Sequence, residues 1–146
     1  MAWTDILRKR LGQAFGLYGD LVESIPPDAL MHKLPGLASN TIGEQFWCVV
    51  GARESYARAI RSGQWEGFAC SLQDVSDPGT VADALRGSAN AVMDALGEGA
   101  ELDSARIELA LALLEHESAH HGQLIRYLYG LRLPIPPSWK ARYALD

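Results

Sequence analysis

The fold is decided by residues 103–130, which read DSARIELALALLEHESAHHGQLIRYLYG. Several side chains in this stretch recur at steps of three and four and therefore share one face of a helix. They are Leu109, Leu113, His116, His120, Leu124 and Tyr127. Because most of them are apolar, this face is expected to point towards the core. The pattern predicts a helix from about Asp103 to Tyr129, with Gly130 as a left-handed residue at its end.

Three more amphipathic helices are predicted before this one. The first spans residues 3–24 and ends before Pro26, because proline cannot continue the hydrogen-bond ladder. The second begins at Thr41, which forms a capping box with Glu44, and the third begins with Asp77 as its N-cap. No segment shows the sustained alternation that is typical of a strand. Four long helices predict an all-α fold and, more finely, a four-helix bundle.

A long connection, residues 62–76, is predicted between the second and third helices. Loops of this length are uncommon in compact domains and often have a function. Trp65 and Phe68 in this loop, and Trp139 near the C-terminus, are available to line a pocket or a dimer seam, although ordinary packing is favoured for each. The segment 134–139 is rich in proline and is predicted to be stiff and extended, with Trp139 as its aromatic anchor.

Length and composition limit the function classes. The 146 residues predict a single domain, 1–146, and the net charge of -5 argues against nucleic-acid binding through a basic surface. The only run of basic residues is 8–10. Two cysteines do not make a disulfide framework, and neither a signal peptide nor a membrane-spanning apolar run is visible. We therefore expect a soluble, cytoplasmic protein that binds neither nucleic acid nor membrane.

A cluster of histidines is the strongest chemical signal. His116 and His120 lie one turn apart on the apolar face, so both rings are expected to point inwards. Buried imidazoles need partners, and a shared divalent metal would satisfy both rings, which favours metal binding over two core histidines. His121 lies about 100° further round the helix. A surface pair between His121 and Glu117 is predicted in preference to a role for His121 as a ligand.

The same residues spell His-Glu-x-x-His, the signature of zinc metallopeptidases. That function needs a third ligand and a substrate cleft, and the third ligand usually comes from further along the chain. After His121 there is no further histidine, and the only carboxylate side chain is that of Asp146. A short all-helical chain also lacks an edge strand for a peptide substrate. The peptidase interpretation is therefore disfavoured.

The sequence resembles a known family in two regions. Residues 116–124 (HESAHHGQL), followed by 129–134 (YGLRLP) and 136–139 (PPSW), look like the C-terminal signature of the DinB/YfiT-like superfamily. Residues 33–36 (KLPG) and 40–47 (NTIGEQFW) are similar to the family's entry into its second helix. The resemblance implies an up-down-down-up four-helix bundle, with the long loop between helices 2 and 3.

The resemblance also implies a metal site. Members of the family commonly hold a divalent metal with one histidine from the second helix and two from the fourth, and His116 and His120 match the latter two. Cys48 stands where the second-helix histidine is expected. A ligand set of one cysteine and two histidines favours zinc over nickel as the metal. Cys48 is equally compatible with the role of a small buried apolar residue that binds no metal. Glu44, one turn earlier, is a substitute ligand.

The function that the resemblance implies is enzymatic. Characterised members include transferases and isomerases that use low-molecular-weight thiols, and hydrolysis at the same metal is the sister chemistry. Glu117 and Glu44 are the nearest candidate proton acceptors. The resemblance implies a homodimer with a thiol or another small molecule as substrate. The alternative is a non-catalytic, stress-related dimeric helical protein whose metal is structural or lost.

Overall fold

A computed structural model describes residues 2–99 and 101–146 of the chain. These residues are helical apart from their connections and one isolated bridge between Lys33 and Thr41. The five α-helices are α1 (Trp3–Ser24), α2 (Ile42–Ser62), α3 (Pro78–Leu96), α4 (Ser104–Gly130) and α5 (Pro137–Tyr143), and a short 3-10 helix spans Pro27–Met31. The all-α fold predicted from the sequence is therefore confirmed.

The two predicted caps, at Thr41 and Asp77, are present, and Asp103, predicted only as the approximate start of the last long helix, is also an N-cap. The Thr41 hydroxyl accepts from the Glu44 amide at 3.1 Å, and the Glu44 carboxylate accepts from the Thr41 amide at 3.2 Å. Asp77 caps α3 and Asp103 caps α4 in the same way, each accepting from the amide three residues later at 2.9 Å. These bonds satisfy backbone donors that a helix N-terminus leaves free, which is why the starts could be found from sequence.

The four long helices pack in pairs, α1 and α2 each contacting both α3 and α4. They bury two apolar clusters. One cluster is formed by residues from the C-terminal halves of α1 and α4 and from the N-terminal halves of α2 and α3. It includes Tyr18, Phe46 and Leu124. The other takes the opposite halves of the same helices and includes Leu11 and Ile60. The histidine cluster of α4 lies between the stretches of that helix that enter the two clusters.

The end of α4 differs from the prediction. Gly130 is the last helical residue and Leu131 is a right-handed C-cap, while the left-handed conformation falls on Arg132, at φ 56°. The segment 134–139 is also not extended throughout, because α5 begins at Pro137. Proline at the first helical position costs no hydrogen bond, and it therefore starts this helix instead of preventing it.

The three aromatic residues singled out above have different environments. Trp65 and Phe68 are half exposed. The Trp65 ring contacts that of Tyr56 and the Phe68 ring that of Trp47, with centroids 4.9 and 5.1 Å apart and the ring planes tilted by 50° and 52°. Trp139 is fully buried, so it is a core residue and cannot line an exposed seam. For Trp139 the structure thus supports the packing alternative.

Two further observations concern the chemistry of the chain. Both cysteines, Cys48 and Cys70, are free thiols. Among the described residues, no helix combines the length and the apolar character needed to traverse a lipid bilayer.

Candidate metal centre

Three candidate ligands meet between α2 and α4. One donor atom from each of Cys48, His116 and His120 lies within 4.8 Å of the other two. The Cys48 Sγ atom is 3.6 Å from His116 Nε2, and the two imidazole centroids are 4.5 Å apart. The one-turn spacing on α4 sets the two rings side by side, and the packing of α2 on α4 brings the thiol to them.

The donor set fits a divalent metal of the zinc type. A thiol and two imidazoles are ligands that zinc prefers, and bonds of about 2.0–2.3 Å put tetrahedral donors about 3.5 Å apart. The Sγ–Nε2 distance of 3.6 Å agrees with that separation. The other ring nitrogen, His116 Nδ1, is buried and has no hydrogen-bond partner among the described residues. Because the two imidazole nitrogens point in different directions, an ion bound through Nε2 would not satisfy Nδ1, and the fit to a metal rests on the donor set and the Sγ–Nε2 distance.

Burial also sets the protonation states of the three groups. It lowers the pKa of His120 to about 4, with His116 adding to the effect, and it lowers the pKa of His116 as well. Both imidazoles are therefore neutral at pH 7 and have a lone pair to offer. Burial raises the pKa of the Cys48 thiol, so metal binding there would have to release a proton.

Gln45 is a neighbour of the site that the sequence analysis missed. It is buried on α2, and its Oε1 accepts a hydrogen bond from His120 Nδ1 at 2.6 Å. Gln45 Nε2 donates to Asn40 Oδ1 at 2.9 Å, and the Tyr127 hydroxyl donates to Asn40 at 2.6–2.7 Å. Protonation of Nδ1 leaves His120 Nε2 as the nitrogen with a free lone pair. Gln45 thus orients the second histidine.

The two carboxylates proposed as proton acceptors are both engaged elsewhere. Glu44 is exposed and serves the capping box of α2, and it is not a member of the three-residue cluster. Glu117 is fully buried, and both of its carboxylate oxygens accept from the Arg53 guanidinium. Burial raises the pKa of Glu117 and the positive charge of Arg53 opposes that rise. These contacts favour a structural role for each carboxylate.

The predicted surface pair between Glu117 and His121 is wrong. His121 is buried, its Nε2–H donates to the Ala14 carbonyl at 3.1 Å, and its Nδ1 accepts from the Tyr143 hydroxyl at 2.6 Å. The physical reason is that α5 folds back over α1 and covers this side of α4. Trp139 packs on the His121 ring with centroids 5.1 Å apart. A helix that the sequence analysis did not foresee thus converts a predicted surface residue into a core residue.

Comparison with models of known protein families, with characterised proteins and with solved structures finds no match. The resemblance to the DinB/YfiT-like superfamily therefore rests on the quoted motifs.

Proposed function

We propose that this chain is a DinB/YfiT-like metalloprotein that uses Cys48, His116 and His120 to hold a divalent metal, zinc in preference to nickel. The observation that carries the proposal is the meeting of their three donor atoms within 4.8 Å. His116 and His120 are the two residues that the family motif assigns as ligands, and Cys48 is the residue that replaces the third.

The arrangement of the helices supports the family assignment. One apolar cluster is built from the C-terminal halves of α1 and α4 and the N-terminal halves of α2 and α3, and the other cluster is built from the opposite halves. Helices α1 and α4 therefore run in one direction, and α2 and α3 run in the other. This pattern is what an up-down-down-up four-helix bundle requires. Residues 63–77, which connect α2 to α3, also match the long loop expected of the family.

The activity we propose is a thiol-dependent transfer or a hydrolysis, with a low-molecular-weight thiol or another small molecule as substrate and a homodimer as the working form. A bound zinc or nickel ion would supply the Lewis acidity that lowers the pKa of a thiol or a water. The described residues bring three donors to the cluster, and three protein ligands are typical of catalytic zinc, whereas four are typical of structural zinc. The chain itself would hold the metal ion through these three side chains and orient His120 through Gln45.

Metal content tests the proposal directly. We expect about one zinc or nickel ion per untagged chain by inductively coupled plasma mass spectrometry, as three convergent ligands would bind. Both Cys48→Ala and His120→Ala should lose the ion, because each removes a donor. Cys70→Ala and His32→Ala are matched controls, since they remove a cysteine and a histidine outside the cluster, and both should keep it.

Other outcomes of this measurement would change the conclusion. If Cys48→Ala kept the ion while His120→Ala lost it, Cys48 would not be the third ligand, and Glu44 would be tested next. If the parent protein held no metal even after reconstitution, the metalloenzyme proposal would be wrong. A non-catalytic helical protein would then be the better description.

Gln45 gives a second prediction for the same site. Replacing it with methionine, which has a similar length but accepts no hydrogen bond from Nδ1–H, should weaken zinc binding about 10–100-fold, the usual effect of losing an outer-shell partner. Gln45→Glu keeps the acceptor and should retain the affinity. Competition with a chromophoric chelator measures both. Gln123→Met, an exposed change on α4, is the control, and equal affinities in Gln45→Met and the parent would contradict the positioning role.

A further inference from the structure

A second polar site lies away from the metal cluster, where α1, α4 and α5 meet. It is a small cavity of about 70 Å³. Arg10 and Gln13 line it from α1, Ser118 from α4, and Arg142 from α5, with His121 and Tyr143 also in its wall. No helix supplies the site alone, so the cavity exists only because α5 folds back onto α1 and α4.

The cavity has an excess of hydrogen-bond donors. His121 and Tyr143 satisfy each other through the 2.6 Å hydrogen bond between Nδ1 and the hydroxyl. By contrast, the Arg10, Gln13, Ser118 and Arg142 side chains make no hydrogen bond or ion pair with another described residue. The one ring contact among them is that of the Arg142 guanidinium with the Tyr143 ring, 5.3 Å from its centroid, and no carboxylate lines the cavity. All four side chains are exposed, so water can accept their hydrogen bonds. Two guanidinium groups, one amide and one hydroxyl therefore meet at one solvent-accessible place with no protein acceptor for their donors.

This lack of partners sets the two arginines apart from most others in the chain. Arg8, Arg53, Arg86 and Arg106 each pair with a carboxylate. Arg58 and Arg61 donate to backbone carbonyl groups. Six of the ten arginines in this acidic chain thus have a hydrogen-bond or ion-pair partner. Among the described residues, Arg126 and Arg132 share the lack of such a partner with Arg10 and Arg142, but of these four only Arg10 and Arg142 line the cavity.

We propose that this cavity binds a small oxyanion, either a tetrahedral phosphate or sulfate group or a carboxylate, between the guanidinium groups of Arg10 and Arg142. Guanidinium groups match the geometry of such anions with paired N–H donors. The Ser118 hydroxyl and the Gln13 amide add neutral donors. Organic ligands usually occupy about 300–1,000 Å³, so a cavity of about 70 Å³ suits a free ion or one head group. The site is independent of the proposed metal.

The test is calorimetric titration of the full chain with inorganic phosphate, sulfate and acetate, each at the same ionic strength. We expect saturable binding of at least one of them and a rise in Tm with its concentration. Phosphate or sulfate binding without acetate binding would indicate a tetrahedral group, and acetate binding a carboxylate. Losing a charged hydrogen bond should weaken binding about tenfold or more in each of Arg10→Gln and Arg142→Gln. The double variant should show none.

A matched pair of substitutions controls for net charge. Lys9→Gln with Arg126→Gln removes the same two positive charges from exposed positions on α1 and α4 and should leave binding unchanged. Ser118→Ala keeps both charges and should weaken binding measurably. The proposal is overturned if no anion binds saturably, or if the control pair loses binding to the same extent as Arg10→Gln with Arg142→Gln.

Discussion

Replacing Glu117 with alanine is expected to destabilise the fold by about 3–5 kcal/mol, because it would leave the Arg53 charge buried without a partner. Glu117 is fully buried and Arg53 is 1% exposed. Arg53 Nε donates to Glu117 Oε1 at 2.5 Å and Nη2 donates to Oε2 at 3.4 Å. Water cannot reach the guanidinium to compensate for the lost carboxylate, so most of the desolvation cost of the charge would appear as lost stability.

The Arg53 guanidinium has further contacts that hold it inside the protein. Arg53 also donates to the Leu85 carbonyl on α3 at 2.9 Å, and its guanidinium lies 4.4 Å from the Phe15 ring centroid and 5.0 Å from that of Tyr18. The pair thus touches all four long helices, since Arg53 belongs to α2 and Glu117 to α4. To reach solvent, the guanidinium would have to give up its contacts with Leu85, Phe15 and Tyr18.

A double variant separates the cost of an unpaired charge from the worth of the pair itself. Arg53→Met with Glu117→Leu replaces the two ions with apolar side chains and should recover most of the loss, since such replacements are often neutral or stabilising. Urea unfolding followed by circular dichroism measures the free energy of unfolding of the parent, both single variants and the double variant. A loss of less than about 1 kcal/mol in Glu117→Ala would show that the buried pair is not required.

The all-α class and the long helices could be predicted from the sequence because their signals are local. Thr41 with Glu44, Asp77 before Pro78, and Asp103 all satisfy backbone amides within three residues of themselves. Each of these contacts joins residues only three positions apart, so the helix starts can be recognised from the sequence alone. The pairing of His116 with His120 is local in the same sense, because the helix period alone places both rings on one face.

The interactions that the sequence did not reveal join distant positions. Glu117 and Arg53 are 64 positions apart, and Gln45 and His120 are 75 apart. In the sequence, Glu117 belongs to a His-Glu-x-x-His motif, and it is therefore a candidate proton acceptor. In the structure its carboxylate forms a buried ion pair with Arg53. One signal was visible: Arg53 follows Ala52 and lies one turn after Val49 and Val50, on the buried side of α2. A buried arginine requires a carboxylate, and Glu117 lies on the facing helix.

The second large effect is expected from Trp139→Ala, which should cost about 3–5 kcal/mol, as truncation of a fully buried tryptophan usually does. Trp139 is fully buried, and its indole N–H donates to the Leu17 carbonyl at 2.7 Å. Its ring also packs edge-on against those of Tyr18 and His121. These contacts hold α5 on α1, and a seven-residue helix has too few hydrogen bonds to persist once it is undocked.

Two readouts distinguish undocking of α5 from a general loss of stability. Urea unfolding gives the free energy, and hydrogen exchange should show loss of protection in residues 137–143 under conditions where α2 stays protected. Trp65→Ala is the matched control, because a tryptophan that is 48% exposed should cost far less and leave α5 protected. Full protection of residues 137–143 in Trp139→Ala would contradict the anchoring role. The oxyanion proposal makes the same variant informative, since undocking α5 withdraws Arg142 from the cavity and should abolish anion binding although both arginines remain in the chain.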